Sequence, residues 1–237
     1  MVCMWLSRYI VASIGKKQIM GLTGLVWYFF LFVHLAGNMA LIAGPQGFNS
    51  YGNLLLNTLG EIIIPCEVLL LICLAVHIVL SIQVSLENRG ARPIRYAKYK
   101  SAARIKGVRQ GSSFSSLSML YGGIGIALFM IIHILNFRFG IATMHPIMVA
   151  NGTEMRDLYA IVMATFSQPL YTAGYIAAVL CVSAHLWHGV QSSVQSAGFN
   201  HPKYVPFVRA FSKVYAMLIG GGFSSLAVWA FLHGARS

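Results

Sequence analysis

Five apolar runs, each about twenty residues or longer, constrain the fold of this chain more than any other feature of its sequence. A helix needs about 20 apolar residues to cross the hydrocarbon core of a bilayer. Only 9% of the residues are charged, against about 25% in a soluble globular domain. The sequence therefore predicts an all-α membrane protein, with residues 1–237 forming a single integral-membrane domain. The five predicted transmembrane helices lie at about residues 19–43, 62–84, 117–137, 169–194 and 211–232.

Basic residues are distributed unevenly between the segments that connect these runs. The N-terminal segment contains three, the 85–116 loop eight and the 195–213 segment three, whereas the other side has only Arg138, Arg156 and Arg236. Because Lys and Arg are retained on the cytoplasmic side, this asymmetry predicts a cytoplasmic N-terminus and a C-terminus outside. The formal net charge of +12 then reflects orientation and contact with lipid or partners, and we expect no nucleic-acid binding.

Four histidines, His34, His77, His133 and His185, lie one in each of the first four runs. Ionisable side chains are costly in lipid and usually mark a functional site there. Imidazole is a common axial ligand of haem iron, and facing helices of a bundle can supply a pair of ligands. The sequence therefore predicts that the first four helices form a bundle that binds two haem groups. The other common role of an intramembrane histidine is a hydrogen bond between helices.

The predicted topology indicates which histidines meet. The first and third helices run outward, and His34 and His133 lie beyond their centres. The second and fourth run inward, and His77 and His185 lie beyond theirs. At 1.5 Å of rise per residue, the two pairs lie in opposite leaflets, with irons on the order of 13 Å apart in depth. We expect His34 and His133 to hold a distal haem near the outside, and His77 and His185 a proximal haem near the cytoplasm.

Three further polar residues are candidates for the same site. His188 follows His185 by three residues and lies on nearly the same helix face. It is expected to contact a haem propionate or a quinone, or to supply polarity at the membrane interface. Glu67 lies inside the second run and Glu61 near its start. Either carboxyl could exchange protons with a quinone; otherwise Glu67 is a protonated structural group and Glu61 complements the helix dipole.

Glycines lie within about one turn of two of the proposed ligands. Gly37 follows His34 by three residues, and Gly189 follows His185 by four. A missing side chain would allow a macrocycle to approach the helix, although small residues also serve close helix packing. Packing better explains the glycines of the third and fifth helices, Gly122, Gly123, Gly125, Gly220, Gly221 and Gly222.

The sequence around these residues resembles a known family. The chain is similar over nearly its whole length to the single-subunit, five-helix, dihaem cytochrome b anchors of bacterial succinate dehydrogenases and fumarate reductases. The stretches that carry the resemblance are Ser13-Ile14-Gly15-Lys16-Lys17, Leu31-Phe32-Val33-His34-Leu35-Ala36-Gly37-Asn38, Phe48-Asn49-Ser50-Tyr51, Ala75-Val76-His77-Ile78, Ala91-Arg92-Pro93, Ile131-Ile132-His133-Ile134, His185-Leu186-Trp187-His188-Gly189, Gln195 and Gly198.

The resemblance implies a function and a set of partners. His34, His77, His133 and His185 would be the axial ligands of two haem b groups, in the pairs given above. A flavoprotein subunit with covalent FAD and an iron–sulfur subunit would bind on the cytoplasmic side. The basic 85–116 loop could dock the iron–sulfur subunit or hold haem propionates there; otherwise it is a topology signal that binds anionic lipid. The quinone, expected to be menaquinone, would react near the distal haem. The chain would lie in the bacterial cytoplasmic (inner) membrane, where the complex could form a higher oligomer.

Two other functions fit the residues. One is the cytochrome b anchor of a hydrogenase or formate dehydrogenase, and the other is a haem-free transporter that uses its histidines as a proton relay. The sequence has no C-x-x-C-H motif for covalent haem attachment and no Cys/His cluster with zinc or iron–sulfur spacing.

Overall fold

A computed structural model describes residues 8–91, 104–105, 108–109, 113–140, 147–150, 153–199 and 201–234 of this chain; for 104–105, 108–109, 113–118, 147–150 and 153–155 it describes the backbone alone. Its helices are α1 (Ser13–Asn38), α2 (Gly44–Asn53), α3 (Gly60–Gly90), α4 (Ser113–His133), α5 (Leu158–Phe166), α6 (Pro169–Ser196) and α7 (Val205–Gly234). A 3-10 turn (Met39–Ala43) follows α1, and π turns follow α2 (Leu54–Thr58) and α4 (Ile134–Arg138). Two antiparallel hairpins pair β1 (Arg104–Ile105) with β2 (Val108–Arg109) and β3 (Ile147–Ala150) with β4 (Thr153–Arg156).

Five helical segments are long and apolar enough to cross a membrane, and each overlaps one predicted run. Many of their large apolar side chains are exposed on the surface of the chain, including Phe29, Ile62 and Met217. Such a surface suits lipid, which is itself apolar, and a helix pairs its own backbone groups there. The chain is therefore a multi-pass membrane protein. The segments are Ser13–Thr58, Gly60–Gly90, Met119–Arg138, Pro169–Ser196 and Val205–Gly234.

The long helices alternate in direction, so the bundle has two distinct ends. At the end that we call the Lys16 end, Lys16 forms an ion pair with Glu87 of α3, and Gln18 donates a hydrogen bond of 3.2 Å to the carbonyl of Ser196 at the end of α6. At the opposite end, the Arg138 end, Arg138 after α4 pairs with Glu67 near the start of α3. The helices α1, α4 and α7 thus run from the Lys16 end to the Arg138 end, and α3 and α6 run back.

Two short helices that the sequence did not predict, α2 and α5, form a cap at the Arg138 end. The chain turns at Gly44, whose φ of +83° is strained for any residue with a side chain, and Pro45 lies in the first turn of α2. Phe48 of α2 and Met163 of α5 pack with Ala230 of α7 in one buried cluster. The cap therefore closes the bundle end towards which α1 and α7 run.

A buried asparagine fastens the two helices of the cap to each other. Asn49, 2% exposed, donates from Nδ2 to Oδ1 of Asp157 at 2.8 Å, and its Oδ1 accepts from the backbone N–H of Tyr159 at 2.9 Å. Asp157 also accepts from the N–H of Ala160 at 2.9 Å and so caps α5. The N-cap of the short helix α5, Asp157, is thus held in place by Asn49 of α2.

The fifth spanning helix, α7, packs closely against α1 and α6. A Cβ on Gly220 would lie 2.7 Å from Oγ of Ser183, and a Cβ on Gly222 would lie 2.7 Å from the side chain of Leu35. Ser183 donates a hydrogen bond of 2.6 Å to the carbonyl of Ala216. These two glycines therefore serve close packing of helices, as the sequence predicted.

Replacing Asn49 with Ala should destabilise the cap, because it leaves the buried N–H of Tyr159 unpaired and removes a donor to Asp157. A buried group left unsatisfied costs about 1–3 kcal/mol, and the free energy of unfolding should fall by about that amount. Thermal unfolding of the detergent-solubilised chain measures the change. The exposed Asn57 provides the control, since Asn57→Ala should cost less than about 0.5 kcal/mol. Equal losses in the two variants would contradict the role given to Asn49.

Candidate functional site

A large cavity lies within the helix bundle. It has a volume of about 2020 Å³, and all four intramembrane histidines and His188 line it. A pocket for one small molecule usually measures about 300–1,000 Å³, so this cavity has room for two large guests. The sequence predicted a bundle of the first four helices, but α7 also forms part of the wall, through Ile219, Phe223, Leu226 and Ala227.

The histidines meet in two pairs across the cavity. The ring centroids of His34 and His133 are 5.9 Å apart, with the ring planes at 90°. Those of His77 and His185 are 6.4 Å apart, with the planes at 68°. A metal bound between two imidazoles by bonds of about 2.0 Å would hold the centroids roughly 6.3 Å apart. The structure thus places together the residues that the sequence paired, at a spacing that suits one metal per pair.

The two pairs lie at different depths along α1. A Cβ on Gly24 of α1 would lie 3.2 Å from Cε1 of His77, whereas His34 lies ten residues further along the same helix. At 1.5 Å of rise per residue, the two sites are about 15 Å apart along the helix axis. The pair His77/His185 is therefore nearer the Lys16 end, and the pair His34/His133 nearer the Arg138 end.

The four rings keep one nitrogen available to a ligand. Nδ1 of His77 lies 2.9 Å from the carbonyl oxygen of Met20, and Nδ1 of His34 lies 3.3 Å from Nδ2 of Asn38. Nδ1 of His133 and of His185 is buried and has no partner among the described residues. Every hydrogen bond that the described residues make to these four rings is at Nδ1, and none of these residues bonds to an Nε2. Donation from the other ring N–H, as Nδ1 of His77 makes to the carbonyl of Met20, is the usual way in which a protein orients a metal-binding histidine. Nδ2 of Asn38 is itself a donor, so its contact with His34 does not play this part.

The ligand set of each pair fits haem better than a bare metal ion. In the part of the chain that the structure describes, no three His, Cys, Asp or Glu side chains form a group that could hold an ion. A structural zinc site needs four protein ligands, but a haem brings four nitrogens of its own and needs only two. Two imidazoles on facing helices, in an apolar cavity, are therefore the donors that a haem iron requires.

Basic side chains line the cavity towards both ends. Lys17, Arg209 and Lys213 line it at the Lys16 end, and Arg138 and Arg156 line it at the Arg138 end. A haem carries two carboxylates, which Arg and Lys bind through charge-assisted hydrogen bonds. Each histidine pair therefore has cations at its nearer end that suit haem propionates.

Arg156 is only partly satisfied by its hydrogen bonds to the described residues. Its Nη1 donates to the carbonyls of Phe137 and Arg138 at 3.1 and 3.0 Å. Its Nε and Nη2 are buried and have no partner within the described ranges. Burial, and then the neighbouring charge of Arg138, lower the pKa of the Arg156 guanidinium from its usual value. An anion is what this group lacks, because a buried charge is stable only when it is paired.

Glu67 is paired with a cation rather than isolated in the membrane. Its Oε2 lies 3.1 Å from Nη2 of Arg138, and both residues line the cavity. The sequence also predicts, as an alternative, a protonated structural role for Glu67. It gives Arg138 no role beyond the asymmetry of basic residues. The ion pair joins residues 71 positions apart, so no local pattern predicts it. The structure separates Glu61 from this pair: Glu61 is exposed in the first turn of α3, and it is not among the residues that line the cavity.

His188 lies on the cavity wall towards the Lys16 end. Its ring stacks on Trp187, with centroids 5.5 Å apart and planes 3° from parallel. Nζ of Lys213 lies 5.5 Å from the centroid of the same Trp187 ring, close enough for a cation–π interaction. The structure therefore places His188 in a polar and aromatic group beside the pair His77/His185, as a neighbour of His185 and not as a third member of that pair.

The glycines beside the ligands differ from those that the sequence suggested. The space beside Gly37 is occupied by the hydroxyl of Tyr51, and a Cβ on Gly189 would make an ordinary contact of 3.9 Å with Met119. The glycines that face the histidines are Gly24, opposite His77, and Gly123, opposite His185 at 3.8 Å. Sequence spacing missed them because each faces a histidine of a different helix.

Of the basic 85–116 loop, the structure describes the side chain of Arg89, at the end of α3, and the backbone of Arg104 and Arg109. Its other basic residues, at positions 92, 95, 98, 100 and 106, lie outside the described residues. The docking role predicted for this loop stays a prediction.

No known protein family, curated protein or solved structure matches this chain.

On the expectation that each histidine pair holds one haem, replacing Gly24 with Leu should displace His77 and remove one haem from each chain, because a side chain there would enter the space of the His77 ring. The haem-to-protein ratio, measured from the absorbance of the purified chain, should fall by about half. Gly174 of α6 is the matched control, since the structure shows open space beside it and Gly174→Leu should keep the full haem content. An unchanged haem content in Gly24→Leu would contradict this placement of His77.

Proposed function

We propose that this chain is the dihaem cytochrome b anchor of a succinate:quinone oxidoreductase. In this role it transfers electrons between a membrane quinone and soluble subunits that interconvert succinate and fumarate. The proposal rests on two histidine pairs that lie at two depths of one cavity in a membrane bundle. The ring centroids in each pair are about 6 Å apart. The sequence resemblance described above supplies the identity of the partners.

The four histidines would hold two haem b groups, and the remaining wall would shield them from water. When bound, a haem with two imidazole ligands carries single electrons and has no open iron position for oxygen. The hydrogen bond between Nδ1 of His77 and the carbonyl of Met20 fixes the orientation of that ring. At the Arg138 end, Leu158 and Phe166 of the cap also line the cavity and exclude water from the pair His34/His133.

The cations at each end of the cavity would hold the propionates. Lys17, Arg209 and Lys213 serve the proximal haem at the Lys16 end, and His188 beside them can also contact a propionate or a quinone. Arg156 serves the distal haem, because its guanidinium has two nitrogens without a partner among the described residues. In this role, a carboxylate satisfies a charge that the chain itself leaves uncompensated.

The Arg138 end is the best place in the cavity for quinone chemistry. Glu67 forms an ion pair with Arg138, and it lies on the cavity wall towards the Arg138 end. A carboxylate in this position accepts a proton from a quinol, and Arg138 holds the carboxyl group in place. We propose menaquinone as the substrate, on the strength of the resemblance, and Glu67 as the group that exchanges protons with it. The exposed position of Glu61 argues against a direct role for that residue.

The distribution of charge supports an orientation with the Lys16 end in the cytoplasm of a bacterium. Among the described residues, basic residues at that end outnumber the acidic one, Glu87, whereas the Arg138 end has Arg138 and Arg156 with Glu61, Glu67, Glu154 and Asp157. Lys and Arg favour the cytoplasmic side. The flavoprotein and iron–sulfur subunits would therefore bind at the Lys16 end, whose basic residues are Arg8, Lys16, Lys17, Arg89, Lys203, Arg209 and Lys213.

Two rival functions predict different results. A cytochrome b anchor of a hydrogenase or formate dehydrogenase would also bind haem, but it would co-purify with nickel or molybdenum instead of covalent FAD. A haem-free proton-relay transporter would purify as a colourless protein. The ring spacing in both histidine pairs favours haem over a relay, because a proton relay does not require two imidazoles separated by the width of a metal site.

A pyridine haemochrome assay combined with a redox titration of the purified chain tests the proposal. Two haem b groups per chain, titrating in two steps, are expected. Purification of the intact complex from its membrane should then yield covalent FAD and iron–sulfur clusters in partner subunits. A purified chain without haem would overturn the cofactor, the electron-transfer function and the family assignment together.

Replacing His77 with Ala should remove the proximal haem and keep the distal one, because His34 and His133 form a separate pair about 15 Å away along α1. The haemochrome assay should fall from two haems to one. His188→Ala is the matched control, and it should keep both haems, since its ring stacks on Trp187 and is not needed as a ligand. Loss of a haem in His188→Ala, with two retained in His77→Ala, would show that His188 is the ligand-bearing residue.

Replacing Glu67 with Gln should slow quinone turnover by about 10²–10⁴-fold, the usual contribution of a positioned general acid or base. Haem content should be unchanged, because Glu67 is not a ligand. Glu61→Gln is the control, and it should turn over at the normal rate. Steady-state kinetics with a soluble menaquinol analogue measures the effect, and normal kinetics in Glu67→Gln would refute the role given to Glu67.

A further inference from the structure

A buried amide lies directly beyond one of the proposed distal ligands. Asn136 is 5% exposed and belongs to the π turn Ile134–Arg138, which begins immediately after His133. A buried amide is costly in a membrane segment unless its hydrogen bonds are satisfied. π turns within helices occur frequently at functional sites, since the extra residue changes the direction of the side chains that follow. The position of Asn136 therefore calls for an explanation beyond packing.

The partners of Asn136 are two tyrosines of α6. Its Nδ2 donates to the hydroxyl of Tyr171 at 3.2 Å and to the hydroxyl of Tyr175 at 3.4 Å. The two tyrosine rings stack on each other, with centroids 5.9 Å apart. These hydrogen bonds connect the end of α4, which contains His133, to the first turns of α6.

Of the two tyrosines, Tyr175 is the one that contacts the histidine. Its ring centroid lies 6.2 Å from that of His133, and it is 7% exposed and lines the cavity. The rings of Phe129, Phe137 and Phe166 surround it at 5.1, 5.9 and 5.2 Å. Tyr171, in contrast, is 39% exposed and is not among the cavity-lining residues.

His133 depends on these rings for its orientation. Its Nδ1 has no hydrogen-bond partner among the described residues, whereas Nδ1 of His77 is fixed by the carbonyl of Met20. The ring of His133 therefore adopts its 90° angle to His34 through packing, and Tyr175 is one of the side chains that form the packing surface. A change in the position of Tyr175 changes the space into which the His133 ring can rotate.

We infer that Asn136 is a positioning residue for the distal haem, which rests on the function proposed above. By tethering Tyr175, it holds the plane of the His133 ring nearly perpendicular to the plane of His34. The relative angle of two axial imidazoles determines the electronic anisotropy of a low-spin ferric haem, with perpendicular planes giving the most anisotropic signal. Asn136 thereby sets the spectrum and the potential of the distal haem without touching either ligand.

Electron paramagnetic resonance of the oxidised, haem-loaded chain tests this inference, together with a redox titration. In Asn136→Leu, which keeps the size of the side chain but removes the donor, the distal signal should lose anisotropy and the distal midpoint potential should shift. The proximal signal should stay unchanged. The His77→Ala variant, which should keep only the distal haem, identifies the distal signal.

Two conservative variants distinguish a specific change at the distal haem from a general loss of structure. Tyr175→Phe keeps the ring but removes the hydroxyl that Asn136 holds, so it should change the distal signal in the same direction as Asn136→Leu. Tyr171→Phe is the matched control, since it removes the other hydrogen bond of Asn136 but touches neither the cavity nor His133, and the distal signal should stay unchanged. Tyr175→Phe also tests the inference if Asn136→Leu does not fold.

The inference would be overturned by an unchanged distal signal and potential in both Asn136→Leu and Tyr175→Phe. Equal changes in the distal and proximal signals would overturn it as well, because they would show a general loss of structure. These results differ from a failure of the proposed function, in which the unmodified chain would itself contain no haem.

Discussion

The cost of placing imidazoles in a membrane is the constraint on which the rest of this structure depends. Each of the four intramembrane histidines faces the same cavity, where it meets a second histidine and not lipid. A polar ring in hydrocarbon is tolerated only where the protein supplies a partner or encloses a guest. The bundle is accordingly arranged around an interior space, with a glycine at position 24 that makes room for the ring of His77.

The two histidine pairs have different environments, and the difference follows from the ends of the bundle. The pair His77/His185 lies towards an end with many basic residues, which can bind anionic groups. The pair His34/His133 lies beneath a cap made by α2 and α5, which Asn49 holds together. A basic end and a capped end with a carboxylate ion pair support the proposal that the chain exchanges electrons with soluble subunits on one side and with a quinone on the other.

Buried and half-buried polar side chains outside the histidine pairs act mainly as supports. Asn49 fastens the cap, Ser183 joins α6 to α7, and Asn136 joins α4 to α6. In water such hydrogen bonds replace equally good bonds to solvent, but in lipid the alternative is an unpaired group. Each of these residues therefore fixes the position of an element that the apolar surfaces alone would leave free to slide or rotate.

The sequence by itself determined the five spans, because a run of about twenty apolar residues has few stable structures other than a membrane helix. It also indicated which histidines share a depth, since depth follows from the rise along each helix and the alternation of direction. Tertiary structure alone decided the rest. The pairing of Glu67 with Arg138, the approach of Gly24 to His77, the cap and the tether from Asn136 to Tyr175 join residues that are distant in the chain. Such contacts depend on how each helix is rotated about its axis, and these nearly uniformly apolar helices have weak amphipathic patterns that do not specify that rotation.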